Sequence, residues 1–485
     1  MLFNSIDFLL FFPIVVAIYF VIPKKLRYIW LLMASYYFYM SWNPRYAILM
    51  LLSTIITYVS SIGIEKSNAI LWKMVWVAGS LISNLSILCI FKYANFILVN
   101  IERVLITIGI EITECRLDLL LPVGISFYTF QALSYTIDVY RGKIKAERNI
   151  LKYSLFVSFF PQLVAGPIER SKNLLYQIQN CEEIKLWNFE RVRDGFLLMM
   201  WGLFQKLVIA DRISLLVDTV INNYEKYGFV EISVAMILFA FQIYCDFGGY
   251  TNIARGTARI MGFELMKNFQ QPYLATSIKE FWRRWHISLT SWFTDYVYIP
   301  LGGNRKGSIK KYVNILIVFG ISGFWHGASW NFIVWGLVHA VFQIIGDIKD
   351  RIEKKFCIRK SESESRKIRS VLVTFVLVDF AWIFFVCNSF KQALLVIKQM
   401  FTVFQTTDLY NVGLSRGNWS ILILAIGLLL VVDILHESGK SIFIIMGKQE
   451  CFFRWISYVG IVWIIIMFGI YGTQYDASTF IYFQF

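Results

Sequence analysis

Long apolar runs with almost no charge recur along this chain of 485 residues, near 8–22, 28–42, 46–62, 75–99, 119–137, 151–168, 196–218, 232–250, 312–346, 371–387, 419–436 and 455–472. About twenty mostly apolar residues cross a bilayer as a helix, which satisfies its own backbone hydrogen bonds where no water can. The chain therefore reads as an all-α polytopic membrane protein with about 11–12 transmembrane helices, interfacial helices and a re-entrant segment. Charged residues are 16% of the sequence, too few to cover a globular surface, where about 25% is usual. No sustained heptad or Gly-X-Y period occurs, so coiled coil and collagen are excluded. The net charge of +15 fits basic residues gathered on the cytoplasmic side and gives no reason to invoke nucleic acid. None of the seven cysteines is spaced as C-x-x-C, so neither a disulfide framework nor a zinc ribbon is suggested.

The basic loops set the expected topology. Met1 to Ile22 lacks a basic n-region and carries Asp7, so it reads as a retained first span. Pro23-Lys24-Lys25-Leu26-Arg27 follows it, which places the N-terminus outside the cytoplasm. From Arg255 to Lys311 ten Lys/Arg face three acids, and from Asp347 to Arg369 nine face five, so both segments read as cytoplasmic. The stretch 312–346 between them must then enter and leave on one side. Gly320, Gly323, Gly327 and Gly336 interrupt it, as in a re-entrant or broken-helix hairpin lining a cavity. Counting onward puts the C-terminal Gly472–Phe485, which has no Lys or Arg, outside. The chain divides into N-terminal spans (1–118), a catalytic core (119–346), a charged cytoplasmic loop (347–370) and C-terminal spans with a tail (371–485), all within one membrane domain.

Four histidines exist: His286, His326, His339 and His436. His326 lies in Gly323-Phe324-Trp325-His326-Gly327-Ala328-Ser329-Trp330, inside the expected hairpin. An ionisable group at membrane depth is expensive and is a functional candidate by default. Its flanking glycines permit close approach, and Trp325 and Trp330 offer apolar walls that keep an imidazole neutral, as a general base requires. A buried histidine bonded to a backbone carbonyl would leave the same pattern. Ile278, Phe281, Trp282, Trp285, Leu289 and Trp292 repeat with a 3.6 period, which predicts one amphipathic interfacial helix. His286 borders its apolar face; Lys279, Arg283 and Arg284 reach headgroups or an anionic substrate, or serve only as anchors. His339 trails the hairpin and orients neighbours by a hydrogen bond. Asp246, beside Gly248-Gly249, lines a polar path or caps a helix end. Asp379 and Asp433 sit in apolar runs and either pair internally or line a proton path. No H-x-x-x-H or H-E-x-x-H pattern exists, so no metal is expected.

Several segments together resemble the membrane-bound O-acyltransferase superfamily, and within it the bacterial alginate O-acetyltransferase-like branch. They are Leu121-Pro122-Val123-Gly124-Ile125-Ser126-Phe127-Tyr128, Gly166-Pro167-Ile168, Asp246-Phe247-Gly248-Gly249-Tyr250, Phe281-Trp282-Arg283-Arg284-Trp285-His286-Ile287-Ser288-Leu289, Asp295-Tyr296-Val297-Tyr298-Ile299-Pro300-Leu301-Gly302-Gly303-Asn304 and Trp325-His326-Gly327-Ala328. The resemblance implies a fold with a central tunnel and acyl transfer from a cytoplasmic thioester, with acetyl-CoA as donor and no bound cofactor. It implies as acceptor a polysaccharide at the surface of a bacterial cell, reached through an extracytoplasmic transferase partner. It implies His326 as catalytic base and His286 as the second required polar residue, with Trp325, Asp246, Trp282, Arg283, Arg284, Asn304 and His339 lining the tunnel. Basic Arg283, Arg284, Arg305 and Lys306 suit the donor's phosphates. The terminal Phe480-Ile481-Tyr482-Phe483-Gln484-Phe485 is similar to the aromatic ending of bacterial acyl-export systems, which makes Tyr482 an acyl relay; an interfacial aromatic belt has the same composition. D-alanyl transfer towards teichoic acid and a non-enzymatic glycan or acyl export channel are the alternatives.

Overall fold

The computed structural model describes residues 1–110, 116–164, 166–356, 363–404 and 409–471. Every labelled element within them is a helix: α1 (Ile6–Val21), α2 (Arg27–Met40), α3 (Pro44–Lys66), α4 (Ile70–Thr107), α5 (Ile125–Tyr140), α6 (Ile150–Ser158), α7 (Phe189–Leu203), α8 (Asp211–Asn222), α9 (Phe229–Met261), α10 (Ile278–Arg284), α11 (Ile287–Phe293), α12 (Gly307–His326), α13 (Trp330–Lys355), α14 (Glu364–Val386), α15 (Phe390–Thr402), α16 (Arg416–Glu437) and α17 (Cys451–Phe468). Seven of them, α3, α4, α9, α13, α14, α16 and α17, are long and apolar enough to cross a membrane. At about 1.5 Å per residue, the 16-residue α1 and 14-residue α2 span roughly 24 and 21 Å.

Two compact units emerge. The first holds Met1–Phe196 with Ala254–Met266, the second Leu197–Ile253 with Lys267–Phe485. In the first, α3 presents a stripe of small polar residues to α4, α5 and α6. Ser53 Oγ donates to Asn84 Oδ1 at 2.5 Å, Tyr153 OH to Thr57 Oγ1 at 2.7 Å and Ser61 Oγ to the Tyr135 hydroxyl at 3.2 Å. Lipid removes the hydrophobic reason for helices to associate, so small side chains and interhelical hydrogen bonds hold such a bundle.

Three apolar runs fold differently from their sequence reading. The run 151–168 is not one span: α6 stops at Ser158, and Pro161, lacking an N–H, opens a new turn at Phe160–Leu163. The run 196–218 passes through a wider, i→i+5 bonded stretch at Phe204–Ala210 between α7 and α8. The run 312–346 is an antiparallel hairpin of two full helices, α12 and α13, with only Gly327, Ala328 and Ser329 non-helical between them. Of its four glycines only Gly327 leaves the helix, while Gly320, Gly323 and Gly336 stay inside one. A Cβ on Gly323 would stand 2.2 Å from the Phe332 carbonyl oxygen, and one on Gly336 2.2 Å from that of Phe319. They let the two helices touch along their length, so the interrupted backbone from which a cavity was expected reduces to a three-residue turn.

Candidate active site

The site belongs to the second unit and forms at the closed end of the α12–α13 hairpin. His326 is the last residue of α12; Gly327 leaves the helix in extended conformation. The ring is 3% exposed and sits in an aromatic nest. Its centre lies 5.0 Å from Trp325, 5.0 Å from Trp335 and 5.6 Å from Phe385, all edge-on. Trp325 is thus a wall, as expected, but Trp330 is not: it is half exposed at the start of α13. The second wall is Trp335, one and a half turns further along that helix, and the third comes from α14.

The expected single amphipathic helix over 277–292 is broken at the second histidine. Ser277 starts α10 by accepting from Glu280 N at 3.2 Å, and α10 ends at Arg284. His286 then adopts φ 44°, a left-handed conformation that a side chain with a Cβ rarely takes. Such strain persists where surrounding bonds over-determine it. Asn268 supplies them: its carbonyl accepts from Ile287 N at 3.0 Å and its Oδ1 from Ser288 N at 3.3 Å, while Gln270 N donates to Arg284 O at 2.9 Å. The kink carries His286 from the edge of the apolar face to complete burial. Phe247 lies 4.7 Å away, Trp325 6.1 Å, and His326 6.3 Å with the two imidazoles inclined at 64°. Burial pushes the His286 pKa down to about 3, so this ring is neutral at physiological pH. The two imidazoles thus stand close together in surroundings that exclude water, His286 fully buried and His326 3% exposed.

The other candidates divide. Trp282, on α10, donates its indole N–H to His339 Nδ1 at 3.3 Å, and its ring centre is 5.7 Å from Trp335; both residues therefore join the nest. Arg283 is exposed. Arg284 is held by Glu437, at 2.6 and 2.9 Å, and by Glu280 at 2.6 Å, so its guanidinium serves structure before any phosphate. Asp246 is not at an open path: Lys206 Nζ binds it at 2.5 Å and Asp211 at 2.8 Å, all three side chains being at most 4% exposed. The wide turn at Phe204–Ala210 makes this possible, since i→i+5 bonding brings Lys206 and Asp211 onto one face. Asn304 does not line the histidine site. It is exposed beyond the start of α12, and a 20-residue helix puts it about 30 Å from His326. Tyr482 lies outside the described residues. Asp433 receives the Tyr244 hydroxyl, 3.2 and 3.1 Å from its two oxygens; among the described residues no cation pairs with Asp379.

Sequence reading missed Asn268, Trp335, Phe385 and the Lys206–Asp211 pair. Only the last had a usable signal, a lysine inside an apolar run.

The sequence pattern described as the membrane-bound O-acyltransferase family matches residues 143–397, which include both site histidines. A peptidoglycan O-acetyltransferase of Helicobacter pylori is 34% identical over 396 residues, 77% of this chain and 73% of that protein. A probable alginate O-acetylase of Pseudomonas putida is 34% identical over 433 residues, 88% of this chain and 86% of its own. A teichoic acid D-alanyltransferase of Bacillus subtilis is 29% identical over 278 residues, 54% and 68% of the two chains.

Proposed function

Since this chain belongs to the membrane-bound O-acyltransferase family, and is therefore a multi-pass membrane acyltransferase, we propose that it moves an acetyl group from a cytoplasmic thioester to a hydroxyl of an exported bacterial polysaccharide. The observation that carries this reading is the pair of buried imidazoles, 6.3 Å apart, at the closed end of the hairpin.

In the proposed reaction the neutral His326 imidazole takes the proton of the acceptor hydroxyl as its oxygen attacks the thioester carbonyl. The tetrahedral adduct collapses, breaking the C–S bond, and the imidazolium returns its proton to the departing thiolate. Trp325, Trp335 and Phe385 exclude water, which would otherwise hydrolyse the thioester. His286, neutral and 6.3 Å away, donates a hydrogen bond to the oxyanion from one ring nitrogen. Exposed Arg283, Arg305 and Lys306 receive the phosphates of acetyl-CoA as point charges or forks.

In this relay the acceptor hydroxyl of the thioester step is that of Tyr482; on the outer face an extracytoplasmic transferase then passes the acetyl from the Tyr482 ester to a glycan hydroxyl, breaking the phenyl ester and returning the free phenol. This requires both termini to lie outside, as the loop charges suggest. The relatives named for O-acetylation cover more of the chain, at higher identity, than the D-alanyltransferase does, which favours acetyl over D-alanyl. The test is to delete the gene and measure base-labile acetate and D-alanine on purified wall and exopolysaccharide. Loss of acetate from one glycan fraction with unchanged alanine supports the reading; loss of alanine alone replaces it with D-alanyl transfer.

A further inference from the structure

Taking His286 and His326 as the catalytic pair of that reading, we infer that His339 is the positioning residue that fixes the distance between them, acting through Trp282.

The two catalytic rings stand on separate supports. His326 ends α12 and leans on Trp335. His286 follows α10, a helix of seven residues, too short to hold its own place, since isolated helices of this length are unstable. Its position is set by what grips it from outside. His339 is where the two supports meet. It is fully buried, one helical turn after Trp335 on the same face of α13, and its ring centre is 5.2 Å from that tryptophan. Its Nδ1 accepts the Trp282 N–H at 3.3 Å, with the rings perpendicular. One side of His339 thus bears on the wall of His326, and the other holds the helix that delivers His286. The bond also fixes the tautomer: Nδ1 accepts, so a neutral ring carries its proton on Nε2. Trp282 has no other role for its N–H, and an indole donor left unpaired in an apolar interior is costly, so the bond selects one placement of α10 against α13.

The geometry specifies which substitutions matter. Asn places an amide oxygen near the position of Nδ1, whereas Phe keeps the ring and removes the acceptor. In purified protein in lipid vesicles, with acetyl-CoA hydrolysis or transfer as readout, H339F and W282F are each expected to lower kcat about 10- to 100-fold with the acetyl-CoA KM changed less than about twofold, because misplacement rather than donor binding is at fault. The double variant W282F/H339F should be no slower than the worse single one, since both remove the same bond. H339N should recover to within about threefold of wild type. Wild-type kcat in W282F, single effects that multiply in the double variant, or H339N as slow as H339F would each overturn the inference. If H339F fails to insert, W282F and H339N still decide it. H326Q is assayed alongside: an active H326Q sinks the catalytic reading itself, while an inactive H326Q with unaffected W282F and H339F sinks only the role of His339.

Discussion

Replacing Lys206 by Met tests the buried charge cluster behind the site. Lys206 Nζ sits 2.8 Å from Asp211 and 2.5 Å from Asp246, with each side chain at most 4% exposed. At an effective dielectric near 20, each attraction is worth about 6 kcal/mol before desolvation is subtracted. Removing the lysine takes away the buried ammonium that Asp211 and Asp246 share. Breaking a buried pair in this way costs about 3–5 kcal/mol. Asp246→Asn leaves the Lys206–Asp211 pair intact and should cost at most about 1 kcal/mol. The assay is thermal challenge of detergent-solubilised protein, read by the monodisperse fraction on size exclusion. K206M as stable as wild type, or D246N as damaged as K206M, would refute the reasoning.

Two further perturbations follow from the same geometry. Gly323→Ala and Gly336→Ala force a Cβ to 2.2 Å from a backbone oxygen of the facing helix and should sharply reduce folded protein recovered from membranes, while Gly346→Ala, which meets nothing within 4 Å, should be neutral or stabilising by up to about 1 kcal/mol. His286 has its pKa pushed down by burial to about 3, below the unfolded value near 6.5, so the unfolded chain takes up that proton first and stability falls as pH drops through this window; His286→Gln, which does not ionise, should lose less thermal stability than wild type between pH 7 and pH 5.

What could be read in the sequence divides along a physical line. Periodicity and apolar length located the helices, because a bilayer demands whole apolar turns, and the intramembrane cost of an imidazole pointed to His326. The break at His286 was illegible: its 3.6 period continues through the site, and only Asn268, eighteen residues earlier, makes the left-handed turn affordable by capturing the freed N–H groups. The glycines of 312–346 were visible but ambiguous, since a broken helix and a close helix crossing use the same residue. Long-range partners such as Phe385 beside His326 leave no local trace at all. Arg284 shows the opposite error, a basic residue on an interfacial helix whose charge is already satisfied by Glu280 and Glu437.

The central claim is that the His326 imidazole removes the acceptor's proton. The most direct measurement follows radiolabelled acetyl from acetyl-CoA into glycan in membrane vesicles carrying wild-type or His326→Gln protein, matched for inserted amount. The account predicts a loss of about 100-fold or more in H326Q, 100-fold being the lower end of what a general base contributes. Transfer by H326Q at the wild-type rate would contradict it.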